Sequence, residues 1–375
     1  MRVERDDIGD YVLSFAAVVQ SLLIVLQQFL ISVLLLSDER ATLCRIIFSA
    51  IPTIVALVYV VHRNLRITLA TYFIAATVVV IQCGVFPQNQ SLIVDSVFRF
   101  LFPILIPIVL AVFSVERLSI FMRTLYYVSW VTFGVAMVFL LMYVGGYGRF
   151  LNYSISFSYA LLIPALSLYS AKSIKSQIAS LLLLLTIVVL GSRGAVLIFV
   201  AYCLYDAFVV GRRYTLLVAM LTVVLIPRFV SYLGEVGVTS RTLKLLESGA
   251  IVGYDSGRSV IYGDVVDLIL EHPLGGVGIF GERALLGHYA HNIILEILVQ
   301  WGVPIGVVIL SLLLYWVVAT YANSNDNRRV ILILFSMASF IQLFVSSSYL
   351  TNLNFALFLG VLLNLRAKID NPKYE

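Results

Sequence analysis

Long apolar stretches separated by short polar breaks run along most of the chain. A transmembrane helix needs about 20 mostly apolar residues. On this criterion we predict twelve spans, at residues 12–36, 46–61, 67–86, 98–115, 124–144, 154–171, 176–190, 195–210, 214–232, 292–320, 330–348 and 353–365. The first stretch is too long for the core of a cleavable signal and lacks a small-residue cleavage site, so we expect it to be retained. The pattern predicts an all-α polytopic membrane protein, with residues 1–375 forming one membrane domain.

Composition excludes the soluble alternatives. Of the 375 residues, 61% are hydrophobic and only 12% are charged, and the mean hydropathy is +1.02. A soluble domain has roughly 45–50% apolar and about 25% charged residues. Disorder is excluded by the same values. Cys44, Cys83 and Cys203 lie far apart, which excludes a disulfide scaffold and the spacing of a zinc site.

The positions of the basic residues predict the orientation, because loops rich in Lys and Arg stay in the cytoplasm. Alternate loops and both termini hold 15 of the 25 basic residues: Arg2, Arg5, Arg63, Arg66, Arg117, Arg123, Lys172, Lys175, Arg212, Arg213, Arg328, Arg329, Arg366, Lys368 and Lys373. We therefore expect cytoplasmic termini and an extracytoplasmic loop at 233–291. The net charge of +5 is explained by this bias, and no nucleic-acid partner is expected.

The predicted spans contain few residues that could take part in a reaction. Ionisable residues are few within them, and Asp206, Arg228 and Glu296 all lie toward span ends. Ionisable groups within the bilayer usually mark ion or proton paths, and two halves with matching broken helices mark many transporters. Neither pattern is present, so we expect the chemistry to lie on the outward face.

The outward loop carries one clear helix signal, at residues 258–272. Asp264, Asp267 and Glu271 are spaced at i, i+3 and i+7 among apolar residues, and Pro273 follows. This spacing predicts an amphipathic helix that lies at the membrane interface and ends before the proline.

The start of that helix offers an anion site. Ser256 is the predicted N-cap, and Arg258 lies in the first turn. A helix N-terminus presents free N–H groups and the positive end of the helix dipole, which favour phosphate. The alternative is that Arg258 only pairs with Asp255 or Asp264.

A glycine-rich segment at 275–281 contains a literal G-x-G-x-x-G. A dinucleotide site needs a preceding strand, a following helix and an acidic residue about 20 positions on. Here the preceding segment is predicted to be helical and the site faces outward. We therefore reject nucleotide binding and predict a flexible turn that brings two helices together.

Three of the four histidines lie in the same loop: His272, His288 and His291. H-x-x-H with Glu296 nearby is a weak metal pattern, because H-E-x-x-H is absent and no cysteine is near. A histidine accepts a proton near neutral pH, so a general base is the sharper hypothesis. The remaining alternative is a histidine that caps the tenth span.

Arg193 stands alone between two apolar stretches. Lys175 and Arg212 lie 18 and 19 residues away on either side. Helices of that length span about 27–29 Å, which is close to the thickness of the hydrocarbon core. We therefore expect Arg193 at the outer headgroup level, either snorkelling to water or meeting an anionic lipid group.

Four fragments in one order resemble the bacterial O-antigen polymerase and O-antigen ligase family. They are Gly191-Ser192-Arg193-Gly194-Ala195, Ser256-Gly257-Arg258, the run from Glu271 to Gly278, and Ala290-His291-Asn292 with Glu296. The large outward loop between two late spans also matches. The specific part of the resemblance covers 191–195 and 256–302, and elsewhere the likeness lies in span count.

The resemblance implies a GT-C-like all-helical fold and metal-independent glycan transfer from an undecaprenyl diphosphate carrier, without a cofactor. It places the protein in the bacterial cytoplasmic (inner) membrane. It implies that Arg193, Arg258 and His291 match the family's functional residues, with His291 preferred because Ala290-His291-Asn292 fits best. Weaker substrate-binding candidates are Arg228, Arg241, Arg283, His288, Tyr289 and Glu296.

These residue types suit the implied reaction. A leaving diphosphate needs cations, which arginine supplies bidentately, and the attacking hydroxyl needs a base. Three functions compete: a polymerase of lipid-linked repeat units, which we favour on the breadth of that group, a ligase that transfers glycan to the lipid A core, and a flippase. Expected partners are the lipid-linked glycan donor and acceptor and the membrane, with a chain-length-regulating membrane protein as a further candidate.

Overall fold

The structure is a computed structural model that describes residues 5–32, 34–142, 145, 155–171, 173–211, 220, 224, 228 and 258–370. These residues form helices and no strand, as the apolar stretches predict. Within them, six helical stretches are long and apolar enough to cross a membrane: Asp7–Ser32, Asp38–Val85, Pro87–Phe113, Leu118–Met142, Ile293–Ala322 and Asp326–Val345. In length and composition they are the helices of a multi-pass membrane protein.

In chain order the described helices are α1 (Arg5–Ser32), α2 (Asp38–Val85), α3 (Gln90–Ser96), α4 (Ile106–Phe113), α5 (Leu118–Met142), α6 (Ile155–Ala160), α7 (Leu162–Ser170), α8 (Ile174–Val189), α9 (Arg193–Phe208), α10 (Arg258–Glu271), α11 (Gly281–Leu286), α12 (Ile293–Ala322), α13 (Asp326–Phe335), α14 (Gln342–Val345) and α15 (Leu353–Asp370). The π-helical segments Val97–Leu105 and Ser336–Ile341 join α3 to α4 and α13 to α14. Of the ninth predicted span, 214–232, only residues 220, 224 and 228 are described, and all three are helical. A described helix lies at each of the other eleven predicted spans.

Helix α2 contains two of the predicted spans. Its backbone departs from helical geometry at Asn64, with φ −139° and ψ 50°. The predicted spans 46–61 and 67–86 lie on either side of this break, so their boundary is confirmed.

A polar clamp ties together the end of the bundle where Arg63 lies. The buried carboxylate of Asp10 on α1 accepts hydrogen bonds from Arg63 Nη1 (2.5 Å) and from the backbone N–H groups of Glu116 (3.1 Å) and Arg117 (2.7 Å). A buried carboxylate is costly without such partners. The clamp therefore connects α1, α2 and the turn before α5.

The described half of the long loop packs at the other end of α2. Gln82 Oε1 accepts from Ile279 N–H at 2.9 Å, and Asn89 Nδ2 donates to Val277 O at 2.8 Å. Gln82 lies about 28 Å along the helix from Arg63, at 1.5 Å per residue. The loop and the Asp10 clamp therefore lie at opposite ends of this half of α2.

Candidate active site

A helix is confirmed at the predicted position: α10 is described from Arg258 to Glu271 and ends before Pro273. Its buried residues Val265, Leu268 and Ile269 form one apolar cluster with residues of α12. Arg258 is half-buried at the first helical position. The predicted N-cap at 256 and the aspartate at 255 lie outside the described residues.

The glycine-rich segment is a tight turn against α12. Gly276 and Gly278 have φ values of +65° and +81°. The N–H of Val277 donates to Val299 O at 2.8 Å, and that of Gly278 donates to Gln300 O at 3.0 Å. A β-carbon at Gly276 would lie 2.6 Å from Gln300 O. The interpretation as a turn that brings two helices together is confirmed.

His291 lies two residues before the start of α12 and has a φ of +53°, a left-handed conformation that residues with a side chain rarely adopt. Asn292 is the N-cap: its Oδ1 accepts from the N–H groups of Ile294 (2.9 Å) and Leu295 (3.3 Å). Asn292 Nδ2 also donates to Phe344 O at 3.4 Å. The alternative in which a histidine caps this span is therefore wrong, because the asparagine does so.

The half-buried ring of His291 lies among cationic side chains. Its centroid is 3.9 Å from that of Tyr289, and no group in the described part of the chain hydrogen-bonds to its buried Nδ1. Burial, together with the smaller effects of the charges of Arg258, His288 and Arg283, lowers the pKa of His291 to about 4. His291 is therefore neutral at pH 7, which is the state that a general base requires.

Arg283 lies between aromatic rings and two carboxylates. Its Cζ atom is 4.7 Å from the centroid of the Phe280 ring and 5.1 Å from that of Tyr289. Its Nε is 3.7 Å from Glu282 Oε1, and its Nη2 is 4.0 Å from Glu296 Oε1. Both carboxylates are completely buried, whereas the Arg283 side chain is 23% exposed.

A buried polar network fixes the two carboxylates. Gln300 Nε2 donates to both oxygens of Glu282 at 3.0 Å, and Tyr349 OH donates to Gln300 Oε1 at 2.8 Å. Glu296 accepts from Ser348 Oγ and from the N–H of Tyr349 (3.3 Å). Burial raises the pKa of Glu282, partly offset by the Gln300 hydrogen bond and the Arg283 charge. Sequence reasoning missed all of these residues except Glu296.

Arg193 begins α9 and is half-buried. The next residue, Gly194, lies so close to α14 that a β-carbon there would be 3.2 Å from Val345 Cγ2. The adjacent residue Phe344 accepts the hydrogen bond from Asn292. The start of α9 and the segment that carries His291 therefore meet the same end of α14.

The remaining candidates are scattered. Arg228 is exposed and helical, and residue 241 lies outside the described residues. His288 Nε2 is 3.9 Å from Asp264 Oδ2. Among the residues that the structure describes, no group of three or more His, Cys, Asp or Glu side chains is arranged to hold a metal ion.

The comparisons with known proteins point to one family. Residues 178–310 match the family model described as O-Antigen ligase. This segment includes Arg193, Arg258 and the loop with His291. No significant match to the chain is found among curated proteins or among solved structures. The match over residues 178–310 confirms the resemblance seen in the four sequence fragments.

Proposed function

We propose that the protein polymerises lipid-linked repeat units of an O-antigen or a similar surface polysaccharide, at the outer face of the bacterial cytoplasmic membrane. The observation that carries the proposal is the neutral His291 beside the cations Arg258 and Arg283, within the matched segment. The donor is a glycan on undecaprenyl diphosphate, and the acceptor is a sugar hydroxyl of the next lipid-linked unit.

The reaction needs two kinds of group. A new C–O bond forms between the acceptor oxygen and the anomeric carbon of the donor, and the bond from that carbon to the diphosphate breaks. His291 takes the proton of the acceptor hydroxyl. Arg258 and Arg193 hold the diphosphate, which leaves as a stable anion, by the bidentate hydrogen bonds that guanidinium forms with phosphate.

We also propose that the reaction needs no metal. The role of a metal in such chemistry is to neutralise the leaving diphosphate, and arginines supply the same charge here. Support comes from the position of Arg283, whose Cζ atom is 5.1 Å from the centroid of the Tyr289 ring, which itself lies 3.9 Å from that of His291.

A ligase is the second candidate, favoured by the match of residues 178–310 to the O-Antigen ligase family model. A ligase would use the same base and the same arginines, but its acceptor would be the lipid A core. The acceptor alone separates the two functions.

The membrane arrangement is part of the same proposal. It comprises a GT-C-like fold of twelve spans, cytoplasmic termini, an extracytoplasmic loop at 233–291 and a chain-length-regulating membrane protein as partner. Support comes from the positions of the Asp10 clamp and the loop at opposite ends of the second half of α2.

One experiment tests the function. Purified protein is incubated in lipid vesicles with lipid-linked repeat units alone, and the glycans are then separated by length. A ladder of longer glycans is the expected result. No new product until lipid A core is added would instead identify a ligase. Movement of the lipid across the bilayer without a new bond would identify a flippase and overturn the proposal.

A further inference from the structure

Arg283 lies close to two buried carboxylates. Glu282 and Glu296 are both 0% exposed, and Arg283 is within ion-pair distance of each. Their oxygens already accept hydrogen bonds from the neutral groups of Gln300, Ser348 and Tyr349. The carboxylates are therefore fixed in place without using the hydrogen-bond donors of Arg283.

Arg283 forms no hydrogen bond with either of these two carboxylates. Its distances of 3.7 and 4.0 Å to the carboxylates are longer than hydrogen bonds, and its Nε forms none within the described residues. The guanidinium instead lies over the rings of Phe280 and Tyr289. A guanidinium has five donors, so this one is held in place with donors to spare.

The same guanidinium lies close to the candidate base His291. The ring of Tyr289 lies against that of His291 with an angle of 41° between their planes, and the charges of Arg258 and Arg283 act on both of these side chains. An anion held by Arg258 beside His291 therefore comes within the field of Arg283.

We propose that Arg283 is a third arginine for the diphosphate of the donor, and that Glu282 and Glu296 are the positioning residues that hold it toward that anion. The inference rests on the proposed function and extends its anion site. The fixed carboxylates restrain Arg283 before the anion binds. The arginine therefore loses less conformational entropy on binding. Gln300 and Tyr349 act one step further back, by fixing the carboxylates.

The test uses the full chain in detergent and inorganic diphosphate as the probe, with binding measured by calorimetry and without turnover. Arg283→Met keeps an apolar side chain of similar length between the rings but removes the charge. We expect its Kd for diphosphate to rise about tenfold or more, as for loss of a charge-assisted hydrogen bond. An unchanged Kd, at a wild-type yield in membranes, would overturn the role of Arg283.

A double-mutant cycle tests the positioning residues. Glu282→Gln and Glu296→Gln should each raise the Kd about threefold or more when Arg283 is present, and should have no effect in the Arg283→Met background. Equal effects in both backgrounds would mean that the carboxylates act independently of Arg283, which overturns their positioning role. Glu271→Gln, at the exposed end of α10, is the matched control and should bind as the wild type does.

A second variant and a comparison of binding with turnover make the result of this test unambiguous. If Arg283→Met does not accumulate in membranes, its double variant with Glu282→Gln removes one buried negative charge along with the positive one and carries the same expectation. If diphosphate binding behaves as expected but wild-type protein forms no glycan product, the proposed function fails while the anion site stands.

Discussion

Replacing His291 by alanine should separate binding from chemistry. The arginines that hold the diphosphate remain, so we expect the affinity for inorganic diphosphate to stay within about twofold. The acceptor hydroxyl loses its base, which typically costs about 10²–10⁴-fold in rate. His288→Ala is the matched control in the same segment and should be much milder, because His288 faces Asp264 at 3.9 Å.

The structure also changes the expected pH dependence. A histidine with an unperturbed pKa of about 6.5 would be about one-tenth neutral at pH 5.5. Because burial and the nearby charges lower the pKa of His291 to about 4, it stays almost fully neutral at that pH. The kcat/KM of the wild type, which reports the free enzyme, should therefore change little between pH 7.5 and 5.5 and fall only as the pH approaches about 4.

The assay is the initial rate of glycan elongation from lipid-linked repeat units, measured across this pH range for both single variants. Polymerisation by His291→Ala together with its loss in His288→Ala would show that His288 is the base. Wild-type rates in both variants would show that neither histidine is. A tenfold loss of kcat/KM from pH 7.5 to 5.5 would refute the argument that burial and the arginine charges control the pKa of His291.

Three further changes have defined outcomes. Arg258→Lys keeps the charge but loses the planar fork that binds two phosphate oxygens, so its rate should fall about tenfold or more at equal protein level, and a wild-type ladder would remove Arg258 from the site. EDTA should leave turnover unchanged, whereas a loss of activity that one divalent ion restores would revive the metal hypothesis. Gly276→Ala should lower the yield of folded protein and its unfolding temperature, since φ is +65° and the new methyl group would lie 2.6 Å from Gln300 O; a wild-type melting curve would contradict this.

The helices and α10 were predictable because their signals are local. An apolar stretch of sufficient length forms a helix in a membrane whatever its neighbours are, and the break at Asn64 lies between Arg63 and Arg66, two basic residues that mark a predicted loop. The helical spacing of its acidic residues predicts α10, and Pro273 predicts where it ends. These features need no knowledge of tertiary contacts.

The buried network was not predictable, since its members come from distant parts of the chain. Glu296 and Tyr349 are 53 residues apart, and Glu282 and Gln300 are 18 apart. No periodicity links them. The available signal was the pair Glu296 and Gln300, four residues apart within the long apolar stretch at 292–320, because polar residues there require buried partners.

The cationic side chains of the site also lower the pKa of its candidate base, in addition to burial. In the absence of an anion, the charges of Arg258 and Arg283 help to depress the pKa of His291, so the histidine is neutral but a poor proton acceptor. An anion bound to these arginines offsets their charge, so the part of the lowering that they cause is removed and the pKa of the histidine rises, whereas the larger part that burial causes remains. In the proposed reaction the diphosphate of the donor is that anion, so donor binding strengthens the base that acts on the acceptor. The chemistry is thereby coupled to donor occupancy through charge alone, and no movement of the loop is needed to explain it.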